Sequence, residues 1–258
     1  MRIDLNCDMG ESFGAYTIGS DEAVLASVTS INVACGFHAG DPSVMRRTIR
    51  LARAAGVAVG AHPGFNDLWG FGRRVIRMAA GDVERMVAYQ IGALQAIAAC
   101  SGLKVTHMKV HGALSNMAAT DREYALAIGR AVKAVDASII YVAQAATEME
   151  RAAVALGCRL AREGFADRQY EDDLTLASRS IAGTVYRDPA LAAEQALRLV
   201  TERRVIARSA KSVPLEVDTI CIHGDEPTGV AVAEAVSKAL VAAGVRILPL
   251  PEMKLDRG

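Results

Sequence analysis

The chain carries no net charge of either sign: its 258 residues hold 29 lysines and arginines against 29 aspartates and glutamates. A balanced surface builds no field to gather a polyanion, which argues against nucleic acid or an anionic membrane as partner. Aromatic residues make up only 5%, too few for a base-stacking platform. The five cysteines, Cys7, Cys35, Cys100, Cys158 and Cys221, are odd in number and scattered, with no C-x-x-C pair. Their spacing argues against a disulfide framework or a cysteine zinc site and suits a reducing, cytoplasmic compartment. They read as small core residues. The first residues, MRIDLNCD, carry an acid at position 4, unlike a signal peptide. No G-x-G-x-x-G follows the first apolar run and no G-x-x-x-x-G-K-[ST] occurs, so neither a dinucleotide fingerprint nor a phosphate loop is present. The longest uncharged run, 86–103, reaches membrane-spanning length but contains Tyr89, Gln90, Gln95 and Ser101, so it reads as a buried helix.

What is present is an apolar fraction of 52%, enough for a large core, arranged as short β-rich runs alternating with longer helical segments. The runs 2–8, 30–36, 56–62, 104–111, 138–144, 158–163, 218–224 and 244–250 predict strands. Helices are expected at about 42–55, 82–101, 121–135, 145–157, 189–208 and 227–243. Asp41-Pro42 and Asp188-Pro189 each place an acceptor before a first-turn proline. Thr120 and Glu123 have capping-box spacing, and Gly56 and Gly244 stand where helices stop. No linker or internal repeat interrupts the pattern. It predicts one domain over 1–258, an α/β fold with seven or eight mostly parallel strands.

Alternation within the strands selects a barrel over a doubly wound sheet. Asp4, Asn6 and Asp8 share one face of the first strand, and Ile3, Leu5 and Cys7 the other. Asn32 and His38 oppose Ile31, Val33 and Phe37; His107, Lys109 and His111 oppose Met108 and Val110; Cys221, His223 and Asp225 oppose Ile220 and Ile222. A parallel sheet covered on both sides is apolar on both faces, whereas a barrel turns its polar face inward and toward the C-terminal mouth, where sites form. Asn6, Asp8, His38, His62, Lys109, His111, His223 and Asp225 would converge there. Four of the five histidines, His38, His62, His111 and His223, stand at or just past strand ends, and His107 lies too deep to reach the mouth. Lys109 needs a carboxylate partner such as Asp8 or Glu163.

The stretch 59–74, VGAHPGFNDLWGFGRR, concentrates Gly60, Gly64, Gly70 and Gly72 around His62, the sole tryptophan Trp69 and the pair Arg73 and Arg74. The glycines allow tight turns and close backbone approach. Either arginine suits a carboxylate or phosphate. Residues 63–72 are expected to loop over the mouth, with Phe65, Trp69 and Phe71 as an apolar lid.

Seven motifs occur in order: DLNCDMGESFG, NVACGFHAGDP, GAHPGFNDLWGFGRR, YQIGAL, KVHGALSN, FADRQY and ICIHGDEP. Together they resemble the LamB/YcsF family, the A subunits of bacterial ATP-dependent 5-oxoprolinase. The resemblance implies a seven-stranded, TIM-like barrel related to glycoside hydrolases and polysaccharide deacetylases. It further implies opening of the 5-oxoproline lactam to glutamate, with ATP as cosubstrate and B and C subunits as partners. It adds Asp167 and Arg168 to the expected substrate-binding set of Asn6, Asn32, His38, Arg73, Arg74, Glu163, His223 and Asp225. This chain departs from the family pattern at Val110, Ser115, Leu174 and Ala177-Ser178.

The expected chemistry places Asp8 or His111 as general base, with Lys109 and a further histidine, His62 among them, stabilising developing negative charge. Two other readings stay open. Asp8, His62 and His111 have the residue types of a divalent-metal site in a deacetylase-like hydrolase. A non-catalytic lactam-binding subunit would need the same polar mouth. Self-association is also left open.

Overall fold

A computed structural model describes residues 1–223 and 228–255 of the chain. Strands β1 (Arg2–Met9), β2 (Ser30–Ala34), β3 (Ala58–His62), β4 (Val105–Met108), β5 (Ile140–Gln144) and β6 (Arg159–Phe165) come first, each pairing in parallel with the next. A short antiparallel hairpin of β7 (Arg204–Ile206) and β8 (Ser212–Pro214) stands apart. Strand β9 (Thr219–Ile222) then pairs in parallel with both β6 and β1 and closes a seven-stranded barrel. The eighth expected strand, 244–250, forms only β10 (Arg246–Ile247), paired with the first residues of β1 outside the closed ring.

Around the barrel lie the short α1 (Asp21–Val24), then α2 (Pro42–Ala55), α3 (Ala80–Ala99), α4 (Gly112–Thr120), α5 (Arg122–Val135), α6 (Glu148–Leu156), α7 (Pro189–Thr201) and α8 (Gly229–Ala242). Asp41 caps α2 by accepting from the amides of Ser43 and Val44, and Gly56 ends it at φ +70°. Three local expectations are corrected. The cap of α5 is Asp121, not Thr120, because the Asp121 side chain accepts from Glu123 and Tyr124. Helix α7 stops at Thr201, where Arg203 takes a positive φ and the chain turns into the β7–β8 hairpin. Helix α4, unforeseen, starts at Gly112 with φ +56°.

The alternation of side chains decides the layers. Leu5, Cys7, Ile31, Val33, Ala61, Met108, Tyr141 and Ile220 point outward and pack under the helices as the main core. Helix α3 contributes Val83, Val87, Ile91, Leu94 and Ala98 from one face, while Tyr89 on another is exposed. The uncharged run is thus an amphipathic barrel helix. No helix among the described residues is long and apolar enough to cross a membrane. All five cysteines are free, and four of them are buried. Inside the barrel, Ile140, Val142, Ala161 and Leu250 form a small apolar plug. The rest of the interior is mainly polar, with Phe165 and Cys221 set among the polar groups beside Lys109.

Candidate active site

A polar column runs up the barrel interior along one face of β1. At its foot, Asp4 accepts from Thr29 (2.9 Å), Ser30 (2.6 Å) and Thr219. Burial nevertheless pushes its carboxyl up to about 6. Above it, Asn6 donates to Thr219 (2.7 Å) and Glu163 (3.2 Å). Asn32 donates to Asn6 (2.8 Å) and to Asp8 (2.9 Å). Lys109 tops the column. Its ammonium lies 3.1 Å from Asp8 Oδ1, 2.9 Å from Glu163 Oε1 and 2.9 Å from Cys221 Sγ. Burial alone would raise the Asp8 carboxyl, but His62 and Lys109 beside it outweigh that and hold it well below the usual carboxylate range. Burial would likewise neutralise Lys109, yet Asp8, Cys221 and Glu163 keep its ammonium bound well above the ordinary lysine value. Glu163, sealed in the interior, is shifted upward by burial despite Lys109. Both expected carboxylate partners of Lys109 are therefore present together.

One wall of the mouth is built of histidines from the ends of β2, β3 and β4. His62 Nδ1 is 2.8 Å from the Lys109 carbonyl, and its Nε2 is 3.0 Å from His111 Nδ1 and 3.2 Å from Asp8 Oδ2. His111 Nε2 is 2.8 Å from the Phe71 carbonyl. His38, in the loop after β2, stacks on His111 with ring centroids 3.8 Å apart. Glu11 Oε1 lies 3.4 Å from both His38 Nε2 and His111 Nδ1. Burial, reinforced by the neighbouring histidines, holds His38 and His111 well below the ordinary imidazole value. The glycines of 59–74 find their reason here. A Cβ on Gly64 would stand 2.7 Å from His38 Nδ1, and one on Gly72 would stand 2.7 Å from His38 Cβ and 2.9 Å from His111 Cδ2. Gly60 gives way in the same manner to the buried His107 ring. Close approach of imidazole to backbone, more than turn-making, requires glycine.

The opposite wall comes from β9 and the irregular segment 166–188. Asp167 accepts from the His223 amide (3.0 Å) and lies 2.8 Å from its Nδ1. Burial opposes the charge on Asp167, but His223 prevails and lowers its pKa. Arg168 donates to the Ala177 carbonyl at 2.6 Å, while its buried Nε has no hydrogen-bond partner among the described residues. Burial, then the nearby Arg179, lowers the guanidinium to about 10. Gln195 of α7 pins the segment by donating to the carbonyls of Phe165, Ala166 and Arg168.

Between the walls lies a cavity of about 420 Å³ lined by Asp8, Glu11, His62, Arg73, Lys109, His111, Gln144, Phe165, Arg168, Arg179 and His223. Of the expected site residues, Asp8, His62, Lys109, His111, Arg73, Arg168 and His223 line it. Asn6, Asn32, His38, Glu163 and Asp167 stand directly behind those. Arg74 does not belong. Its guanidinium pairs with Asp67 in the loop, with Nε at 2.9 Å, and it faces away from the cavity. Asp225 lies outside the described residues. The aromatic lid also dissolves. Phe65 is fully buried, Phe71 packs edge-on against His38 and His111, and Trp69 is 97% exposed. Glu11 and Arg179 were not foreseen. Glu11 follows Gly10, whose φ of +67° turns the chain back over the mouth just past β1, and glycine beside an acid at a strand end is the signal that was available.

The sequence profile of the LamB/YcsF family matches residues 3–255. The chain belongs to the LamB/YcsF family. A family member from Rhodopseudomonas palustris (strain BisB18), named as the A subunit of 5-oxoprolinase, is 52% identical over 248 residues, covering 96% of this chain and 97% of the relative. The crystal structure of a lactam utilization protein from Thermus thermophilus superposes with a TM-score of 0.92 at 46% identity, covering 97% of this chain and all of that one. The catalytic domain of a peptidoglycan N-acetylglucosamine deacetylase from Eubacterium rectale shares the fold at a TM-score of 0.55 and 11% identity, over 99% of this chain and 91% of the other. The barrel that the LamB/YcsF resemblance implied is the one observed, with seven strands closed in parallel.

Proposed function

We infer that this chain binds 5-oxoproline at the barrel mouth and that the lactam is hydrolysed there to glutamate, coupled to ATP hydrolysis supplied through B and C partner subunits. The observation that carries this reading is the charge arrangement of the cavity. Asp8, ion-paired with Lys109 at 3.1 Å, lines a cavity of about 420 Å³ together with the guanidinium-bearing Arg73, Arg168 and Arg179, a space sized for a small molecule. That is the complement of a small cyclic amide bearing a carboxylate. The names of the 5-oxoprolinase and lactam-utilization relatives point the same way.

Arg168, with Arg73 at the rim, would hold the substrate carboxylate, since a guanidinium with a buried, unsatisfied N–H recovers most from an anionic partner. An unstrained lactam is a poor electrophile. Transfer of the ATP γ-phosphoryl to its carbonyl oxygen would expose the ring carbon to water. Asp8, held ionised, would align that water. Its low basicity suffices because the activated carbon needs little push. The added water would lose its proton to solvent, and the ring nitrogen would take one up as the C–N bond breaks. That would leave an acyl phosphate, which a second water hydrolyses to glutamate and inorganic phosphate. Lys109 would neutralise the negative charge that develops on oxygen. The chain has no phosphate loop of its own, which is why the phosphoryl step is assigned to partners.

The test is glutamate release from 5-oxoproline, with the chain alone and combined with B and C subunits from the same organism, each with and without ATP. Glutamate is expected only from the complete, ATP-supplied mixture. Turnover by the chain alone without ATP would instead support the deacetylase-like reading, and no turnover in any mixture would refute the assignment.

A further inference from the structure

Two imidazoles at the barrel mouth face each other in a way that no neutral tautomer satisfies. The carbonyl of Lys109 can only accept, so His62 carries its proton on Nδ1, 2.8 Å away. The carbonyl of Phe71 likewise fixes the His111 proton on Nε2, also at 2.8 Å. The two remaining nitrogens, His62 Nε2 and His111 Nδ1, then present lone pairs to each other at 3.0 Å, with Asp8 Oδ2 3.2 Å from the first. A carboxylate oxygen, Glu11 Oε1, closes on the same point, 3.4 Å from His111 Nδ1. His38, 1% exposed, has no hydrogen-bond partner at either ring nitrogen among the described residues, and its Nε2 lies 3.4 Å from the same Glu11 oxygen. A cation must lie among these acceptors. It is either one extra proton or a metal ion.

We propose that it is a divalent transition-metal ion of the zinc class, held by His62 Nε2, His111 Nδ1 and Glu11, with His38 as fourth donor. The donor atoms of the four residues all lie within 4.8 Å of one another. Two donors on one such ion at about 2.1 Å stand roughly 3.0–3.4 Å apart, which is the spacing of the His62–His111, His111–Glu11 and His38–Glu11 pairs. Both His62 and His111 would donate their other N–H to a backbone carbonyl, the outer arrangement that fixes the tautomer of metal-bound histidine. Three imidazoles and one carboxylate suit zinc or cobalt and disfavour magnesium. His38 stacks on His111 and would tilt to share the ion. A second group, Asp8, Cys221 and His223, also converges, but the Lys109 ammonium already fills that space, 3.1 Å from Asp8 and 2.9 Å from Cys221. The carboxylate that converges with all three histidines is Glu11, while Asp8, though its Oδ2 lies 3.2 Å from His62 Nε2, is paired through Oδ1 with the Lys109 ammonium. When bound, such an ion would polarise a water or carbonyl oxygen on the cavity side. The inference does not depend on 5-oxoproline being the substrate.

The test uses the full chain, stripped with EDTA and titrated with Zn²⁺, Co²⁺ or Mg²⁺ alone. One Zn²⁺ per chain is expected, uncompeted by Mg²⁺, with a visible Co²⁺ spectrum of nitrogen–oxygen ligation. Glu11→Gln and His111→Ala should weaken binding by about 10- to 100-fold or more, His38→Gln by less, and Cys100→Ser not at all. Should a ligand variant fail to fold, ¹⁵N-histidine spectra of the unmodified chain decide. Zn²⁺-dependent shifts at His62 Nε2 and His111 Nδ1 support the site. An imidazolium at His62 that Zn²⁺ does not displace, or binding that survives in folded Glu11 and His111 variants, overturns it.

Discussion

The two walls of the mouth are made differently. The histidine wall stands on strand ends. His62 closes β3, and Lys109 and His111 continue β4, where backbone bonds from Lys109 to Ala61 and from His111 to Pro63 extend the ladder. Its rings lie against glycine backbone at distances that leave no room for a methyl group. The arginine wall hangs on segment 166–188, with Leu174 at φ +68°, and is pinned from behind by Gln195. The first wall is positioned by the fold itself and the second by a side-chain strap. On the function proposed above, the chemistry would sit on the first wall and recognition of the substrate carboxylate on the second. Of the departures, Leu174 and Ala177-Ser178 fall in the second wall, whereas Val110, between Lys109 and His111, and Ser115 on α4 line the cavity on the side of the first.

Lys109 joins the walls, so removing it should have the largest effect. Lys109→Met would leave Asp8 and Glu163 buried without their cation. About 3–5 kcal/mol of stability should be lost, read by urea denaturation, and turnover in the assembled system should disappear. Adding Glu163→Gln should recover part of the stability and none of the turnover. If Lys109→Met is as stable as the parent, the ion-pair account of the column is wrong.

The walls are then separated by Arg168→Met and Gly72→Ala. Losing the Arg168 guanidinium should weaken 5-oxoproline binding by about 10- to 100-fold, the worth of a hydrogen bond to a charged group, measured by calorimetry. Little stability should change. Gly72→Ala forces a Cβ toward His38 and His111 at a residue with φ +64°, so about 1–3 kcal/mol of stability should go, while affinity for the substrate carboxylate holds. Equal effects of the two changes on affinity would erase the division between walls.

The floor beneath both walls responds to pH. With its carboxyl raised to about 6 in the folded state against an ordinary 3.8, Asp4 favours folding most below pH 4. That contribution is lost as pH rises to about 6. Asp4→Asn should remove it, so the stability gap between variant and parent should shift in the variant's favour by about 2–3 kcal/mol from pH 4 to pH 7. A pH-independent gap would mean that the Thr29, Ser30 and Thr219 hydroxyls fully offset burial.

The histidine wall was legible because strand alternation has a period of two, and a polar residue on the inner face must rise toward the mouth. Asn6, Asp8, Lys109 and His111 all follow from that rule. The same rule overcounted strands, since 244–250 has the pattern but only Arg246 and Ile247 find a partner. The arginine wall was not legible from periodicity, because 166–188 has none. Only the family motif FADRQY drew attention to Asp167 and Arg168. Arg73 and Arg74 are neighbours in sequence, and nothing local distinguishes them. It is Asp67, seven residues before Arg74, that draws that side chain away. Strand β7 falls inside the expected helix 189–208 because α7 has no glycine or proline at its end, and the turn falls instead on Arg203.

The smallest effect is expected at Trp69, which belongs to neither wall. Its place in a glycine-rich loop invites a lid, but a side chain 97% exposed buries nothing in this conformation. Trp69→Ser should therefore change the stability of the isolated chain by no more than about 0.5 kcal/mol. As the sole tryptophan, it also reports directly on the loop. Its emission in the isolated chain should be that of a solvated indole, freely quenched by iodide. Saturating 5-oxoproline should leave both properties unchanged, because Arg168 and Lys109 can hold the ligand without Trp69 moving. A blue shift or loss of quenching on adding 5-oxoproline would show that residues 63–72 fold inward. The mouth would then have a third, mobile wall, and the contrast between fold-positioned and strap-positioned sides would have to be redrawn around it.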